Sequence, residues 1–316
     1  MKKLFAVVVA AFMILSLCSC TARKKTVLTV SGTEINSEIF TYYLDKVISR
    51  PSDYGLEDNP IGKDIKAATV NECKKYLAAN TRFRDAGLSL SSSEKVEISQ
   101  NVNNFWTRFE NHYKEIGVSK QTLTKIFTSD SYKNAIFTEN YDKGTENTAA
   151  EKEIQDYFYG NYICFRTVCA YFTSGDGATP MTQIEKNELL ASFENYVKEN
   201  GNDIDAFSQT VGNAGYPLSN SVLLKKGSDG YPDGFFEKVY SQADNTVQLI
   251  VYDECVFAVV KENLKEKGES VYANYRSSCI NDLYSAESDR EIEEYIAAMT
   301  VEENGKAADR LINKMT

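Results

Sequence analysis

Histidine is almost missing from this chain. His112 is the single one, and neither a Ser/His/Asp arrangement nor a Cys/His cluster with zinc-ligand spacing is recognisable around it. Proline is scarce, with five residues, and no long stretch is rich in Pro or Gly. An extended linker or a low-complexity tract is therefore not expected. Internal repeats and Gly-rich phosphate loops are lacking too. Positive charge is in short supply: 35 Lys and Arg face 45 Asp and Glu, a net charge of −10. Nucleic-acid phosphates need basic patches, so nucleic acid is not an expected partner. No cofactor and no metal is expected either. What the chain has in quantity is aromatic surface, with 20 Tyr and 16 Phe. A tyrosine ring packs while its hydroxyl stays hydrated, which suits half-wet surfaces.

The first 25 residues differ from the rest. Lys2 and Lys3 precede an apolar run from Leu4 to Leu17. That run is shorter than the ~20 residues a membrane span needs, and it fits the core of a secretory signal peptide. Leu17-Cys18-Ser19-Cys20-Thr21 follows and resembles a bacterial lipobox. Cys20 fits the acylated position better than Cys18, because the small Ser19 precedes it. The resemblance implies removal of residues 1–19 and lipidation of Cys20; a plain signal peptide cut near Ala22 is the alternative. No later stretch reaches ~18 apolar residues, so the lipid is the only anchor expected. It would hold the chain on the extracytoplasmic face of the cell membrane.

Seven cysteines occur, and lipidation of Cys20 leaves Cys73, Cys164, Cys169, Cys255 and Cys279 in the mature chain. An odd number cannot form a complete paired framework. Cys164 and Cys169 fall on one expected strand, ~16 Å apart and facing opposite ways, too far to bridge. Buried free thiols are expected.

Along the chain, Val27–Val30 reads as a strand and Ser31-Gly32 as a turn. Asn36 caps a helix with Glu38 in its first turn. Helices follow over Ile61–Ala86, from Ser91 to Gly117, and from Ser119. The third carries the stripe Val102, Phe105/Trp106, Phe109, Tyr113. This stripe reads as core, with a client-binding cradle as the second possibility. His112 reads as a solvated residue of the same helix. Near Tyr162 the texture changes. Tyr162–Phe172, Val247–Val251 and Cys255–Val260 read as strands, with helices at Thr182–Asn200, Ile204–Thr210 and Phe235–Tyr240. A Gly/Pro/Ser-rich loop spans Gly212–Gly234. Residues 270–313 are predicted helical again. The expected fold class is α+β, an α+β module inserted between helical segments that pack together.

Two stretches carry a family resemblance. Val27-Leu-Thr-Val-Ser-Gly-Thr-Glu-Ile-Asn-Ser-Glu-Ile-Phe-Thr-Tyr-Tyr43 resembles the opening of SurA- and PrsA-type extracytoplasmic chaperones. Residues 162–262 look like a diverged parvulin domain, the prolyl isomerase fold of that family. Asp233-Gly-Phe-Phe-Glu-Lys-Val-Tyr240 matches the Phe-containing helix of the proline pocket, which puts Phe236 at a substrate-contact position. Active parvulins carry a histidine on the first strand and another on the last. Here those positions fall near Cys169 and near Phe257 or Ala258. The resemblance thus implies a degenerate parvulin-like domain at 162–264 without the catalytic histidines, with Cys169 the one conceivable catalytic participant. It further implies a helical chaperone-like domain at 20–161, completed by C-terminal helices at 265–316. The implied partners are unfolded or partly folded exported proteins, with the membrane reached through the lipid. An active isomerase with a non-histidine pocket, or a non-chaperone lipoprotein binding one envelope partner, are the alternatives.

Overall fold

The computed structural model describes residues 25–144, 149–174, 177, 179–201, 203–267 and 269–316. In chain order the elements are β1 (Thr26–Val30), β2 (Thr33–Asn36), α1 (Ser37–Ser49), a 3-10 turn (Pro51–Tyr54), α2 (Gly62–Asp85), α3 (Ser92–Glu115), α4 (Lys120–Tyr141), α5 (Ala149–Asn161), β3 (Tyr162–Tyr171), α6 (Gln183–Asn200), α7 (Ile204–Asn213), β4 (Val222–Lys225), α8 (Phe235–Tyr240), β5 (Val247–Val251), β6 (Cys255–Glu262), α9 (Glu269–Ala297), β7 (Val301–Glu303) and α10 (Ala307–Met315). The class is α+β, as the sequence leads one to expect. The chain divides into two units. One runs up to Lys143 and resumes at Ala286–Thr316; the other is Gly144–Ser285.

The first unit is built around α1. Asn36 caps it, its side chain accepting from the Glu38 and Ile39 amides at 3.0 and 3.1 Å. Phe40, Leu44 and Val47 are fully buried, and each such side chain contributes roughly 1.5–3 kcal/mol over an exposed one. A three-stranded sheet of order β2-β1-β7 lies in the same unit. Ser31 and Gly32 both have positive φ (47° and 79°), which makes the β1–β2 connection a two-residue turn whose twist matches the strands. β7 pairs antiparallel with β1, Leu28 opposite Glu303. Ala307, Ala308 and Ile312 of α10 are buried in the core that holds α1. Lys66 of α2 reaches both Glu303 (2.6 Å) and Asp309 (3.0 Å).

The helical stretch predicted over 270–313 is two helices, and the strand between them is not expected from the sequence. The open flank of β1 supplies hydrogen-bond partners to Val301–Glu303, and Gly305 (φ 58°) reverses the chain before α10.

The second unit holds a four-stranded antiparallel sheet of order β4-β3-β6-β5. β6 is central and buried on both faces along Cys255–Val260, which explains why its sequence is a continuous apolar run rather than an alternating one. One face packs Phe165, Phe257 and Val259 under Phe235, Phe236 and Val239 of α8. The other packs Val168, Ala170, Val256 and Ala258 under Phe193 of α6 and Phe207 of α7. β4 lies inside the segment expected as a loop. Its four residues pair with the start of β3, Tyr162 opposite Lys225.

The units meet along the chain at 143/144 and 285/286, where the change of sequence texture suggests 161/162 and 264/265. α5 goes with the sheet unit because it packs on the first part of α9. Glu151 takes hydrogen bonds from the Tyr272 hydroxyl (2.5 Å) and from Arg276 Nε (2.9 Å), and the Phe158 ring lies 5.6 Å from that of Tyr272.

Candidate functional site

Two places have the shape and chemistry of a site. The first is in the first unit, between α3 and α4. A Ser91/Glu94 capping box starts α3. Gly117 (φ 80°) ends it, and the Val118 amide closes back on the Tyr113 carbonyl at 2.7 Å. Ser119 then caps α4. The Glu38 carboxylate fixes this corner, accepting from the Ser119 amide (3.0 Å), the Ser119 hydroxyl (2.5 Å) and the Thr122 hydroxyl (2.5 Å). Only Ile98, Val102 and Tyr113 of α3 are buried, so this helix stands largely in solvent. A groove of about 600 Å³ opens between it and α4, within the range of ordinary ligand sites. Leu90, Ile98, Val102 and Tyr132 form its apolar floor, and Lys95, Lys120 and Thr124 are among its polar rim.

The aromatic stripe of α3 divides between two environments. Tyr113 is buried, Phe105 and Trp106 are half-buried against the core, and Phe109 is 45% exposed. The Phe105 ring contacts those of Phe109, Tyr113 and Phe127 at 4.9–5.4 Å. His112 is exposed, yet its Nε2 lies 2.9 Å from Oδ1 of the well-buried Asp45, a partner that sequence spacing does not disclose. The groove floor is also absent from the sequence pattern, because Leu90 and Tyr132 belong to a connection and to a second helix.

The second place is the α8-covered face of the sheet. Cys169 on β3 stands directly opposite Phe257 on β6. Its half-buried thiol hydrogen-bonds Cys255, and burial pushes its pKa up to about 11. It is therefore protonated at neutral pH, a weak donor and no nucleophile. Phe235, 1% exposed, fills the space beside this pair. Its ring lies 4.4 Å from Tyr231, 5.1 Å from Phe257 and 5.3 Å from Phe165. Phe236 is buried at 8% exposure, stacked on Tyr240 at 5.8 Å. It walls a polar cleft of about 320 Å³ together with Leu224, Lys226 and Asp233. Cys169 and Phe257 do not line that cleft. Cys169 and Phe236 thus share a packed core rather than an open pocket.

Cys20 and residues 1–19 lie outside the described residues. Among the described residues no helix is long and apolar enough to cross a membrane. Also among them, no group of three or more His, Cys, Asp or Glu is placed to hold a metal ion. Cys73, Cys164, Cys169, Cys255 and Cys279 are all free.

No family model matches the sequence, and no curated protein matches it. Solved structures do. The foldase PrsA of Lactococcus lactis aligns over 92% of this chain and 99% of its own at 13% identity, with a TM-score of 0.37. PrsA of Streptococcus pneumoniae aligns over 92% of each chain at 11% identity, TM-score 0.34. A structure from work on the SurA-like chaperones PEB4 and Cj1289 of Campylobacter jejuni aligns over 88% of this chain and 98% of its own, at 10% identity and TM-score 0.28. The chain is similar in structure to PrsA foldases and SurA-like chaperones. At these identities and TM-scores the function rests on the residues of this chain.

Proposed function

We propose that this protein is a chaperone of the extracytoplasmic face, tethered to the cell membrane by a lipid on Cys20, that binds unfolded exported polypeptides without efficient prolyl isomerisation. The observation that carries the reading is the open groove between α3 and α4, concave, floored by Leu90, Ile98, Val102 and Tyr132 and rimmed by polar groups, the form that ligand-binding sites usually take. Each apolar side chain seated there contributes roughly 1.5–3 kcal/mol. Three or four of them, less the cost of ordering the bound segment, give the weak and exchangeable binding a holdase needs.

Isomerisation has to lower a barrier of about 20 kcal/mol, and the second unit holds little to do it with. Its sheet face carries Phe235, Phe257 and Tyr231 around a protonated Cys169. This supports a binding role for the unit over a catalytic one.

Light scattering from a chemically denatured client, with and without the purified mature protein, tests the reading. Suppression of aggregation is expected, with loss of it in Ser99→Trp and Thr124→Arg, which place bulk in the groove. No suppression by the unaltered protein overturns the proposal. Radiolabelled palmitate incorporation that persists in Cys20→Ala removes the anchor. Turnover of a proline peptide above the uncatalysed rate removes the non-catalytic assignment.

A further inference from the structure

The sheet of the first unit has an open edge. Among the described residues β7 is its last strand and pairs only with β1. The Ser31 amide donates to the Thr300 carbonyl (2.9 Å) and the Asn304 amide to the Val27 carbonyl (3.0 Å). Hydrogen-bonded pairs alternate along an antiparallel ladder. Glu302 therefore turns its N–H and C=O toward β1, and Val301 and Glu303 turn theirs away from it. The Glu303 carbonyl takes the Gly305 amide at 3.0 Å. The Val301 amide and carbonyl and the Glu303 amide are left facing outward.

Val301 and Glu303 are also the two strand residues that wall a cleft of about 490 Å³. Its opposite wall is a single face of α2, with Lys63, Lys66, Ala67, Val70 and Lys74 at helical spacing. Lys66 is held by Glu303 and Asp309. Among the described residues Lys74 meets only a carbonyl, that of Ile296 at 3.1 Å, and Lys63 is in no ion pair. In a chain of net charge −10, this cleft offers two cations that no carboxylate among the described residues pairs with. Lys63 and Lys74 are ~16 Å apart along the helix axis, the length of about five residues of extended chain.

We propose that this edge takes an extended, acidic polypeptide segment as an additional strand beside β7. The segment's backbone bonds the outward groups of Val301 and Glu303. On the side facing α2 it presents an apolar side chain over Ala67 and Val70, with carboxylates two residues before and after it that reach Lys63 and Lys74. Strand addition draws affinity from main-chain hydrogen bonds and specificity from alternate side chains. This surface is separate from the α3–α4 groove and stands or falls without it.

The test is fluorescence anisotropy of the mature protein with a labelled Thr-Glu-Thr-Val-Thr-Glu-Thr peptide, capped at both ends. Saturable binding is expected, at least tenfold weaker when both Glu are replaced by Lys, and at least tenfold weaker in a Lys63→Glu, Lys74→Glu double variant. Val301→Pro removes an outward amide without touching the ladder to β1 and is expected to weaken binding as much. A peptide N-methylated at its Val and flanking Thr amides makes the same test on the unaltered protein, so misfolding of a variant cannot obscure it. Ser99→Trp in the groove leaves this binding unchanged. Absent binding, equal binding of the lysine peptide, or indifference to N-methylation overturns the proposal; loss of binding in Ser99→Trp places the peptide in the groove and overturns it also.

Discussion

The Glu38 carboxylate, in the first turn of α1, receives the amide and the hydroxyl of Ser119, the residue that caps α4. One acid therefore serves the start of two helices: its own, through the favourable field at a helix N-terminus, and a neighbour's, through direct hydrogen bonds. Hydrogen bonds to charged groups contribute about 1.5–3 kcal/mol each when buried, and they are not additive. Glu38→Ala is expected to lower the stability of the first unit by about 2–4 kcal/mol, and Glu38→Gln by less. The single tryptophan, Trp106, lies in this unit, so urea titration followed by its fluorescence reads the effect. A shift below about 0.5 kcal/mol, the scale of ordinary surface changes, would contradict the assignment.

The second unit is expected to weaken in acid. Burial opposes ionisation of Glu151, but hydrogen bonds from Arg276 and Tyr272 outweigh it and hold the carboxyl below its ordinary value of 4.5. Glu262 is lowered as well, burial again being overcome, here by bonds from Lys267, Ser221 and Cys164. A depressed acid stabilises the fold above its unfolded-state value, and that contribution is lost as pH falls through the folded-state value. The unit is thus expected to lose stability from about pH 4.5 downward. Arg276→Ala should cost roughly 3 kcal/mol at neutral pH and flatten the acid limb. Hydrogen exchange of β3 and β6 amides between pH 6 and pH 3 measures both.

Thiol reactivity separates Cys169 from its neighbours. Cys73, Cys164, Cys255 and Cys279 are buried, and Cys169 alone among the described cysteines is half-exposed. With its pKa pushed up to about 11, its alkylation at neutral pH is expected to run roughly 100-fold slower than that of a free thiol. Cys169→Ser should abolish native-state labelling. Rapid labelling, or labelling that survives the substitution, contradicts this placement.

The two phenylalanines of α8 should behave differently. Phe235 sits among Phe165, Tyr231 and Phe257, and Phe235→Ala is expected to cost about 3–5 kcal/mol. Phe236 walls the polar cleft, so its truncation leaves a space that water can enter and should cost less, about 2 kcal/mol. Chemical denaturation followed by exchange of the sheet amides ranks them; the opposite order would mean that Phe236 is the core residue.

Much of this architecture can be read from residue patterns. Asn36, Ser91, Ser119 and Thr182 each cap the helix they announce, because a short polar side chain before an apolar periodic run has a specific job. β3, β5 and β6 follow from β-branched and apolar runs. The short strands do not. Val301-Glu302-Glu303 carries two acids and a single strand-favouring residue, Val301, and it becomes a strand because β1 presents a ladder to it. Val222–Lys225 is likewise ordered by Tyr162–Phe165. The site residues divide the same way. The alignment of Cys169 with Phe257 is visible from the family resemblance, and the register places them opposite each other. The α3–α4 groove is a property of how two exposed helices sit together, and the stripe that marks α3 as amphipathic does not show which of its residues line a gap.

The pairing of Leu28 with Glu303 orders events in time. A chain emerging from its N-terminus presents β1 about 275 residues before its partner on that flank, the separation of Leu28 and Glu303. Residues 144–285 are contiguous and have all their sheet partners available before then. The later-numbered module is positioned to mature first, while the leading segment waits with an unfilled flank until Val301–Glu303 has been made. Removing residues 301–316 therefore injures β1 and the core around α1, far away in the sequence.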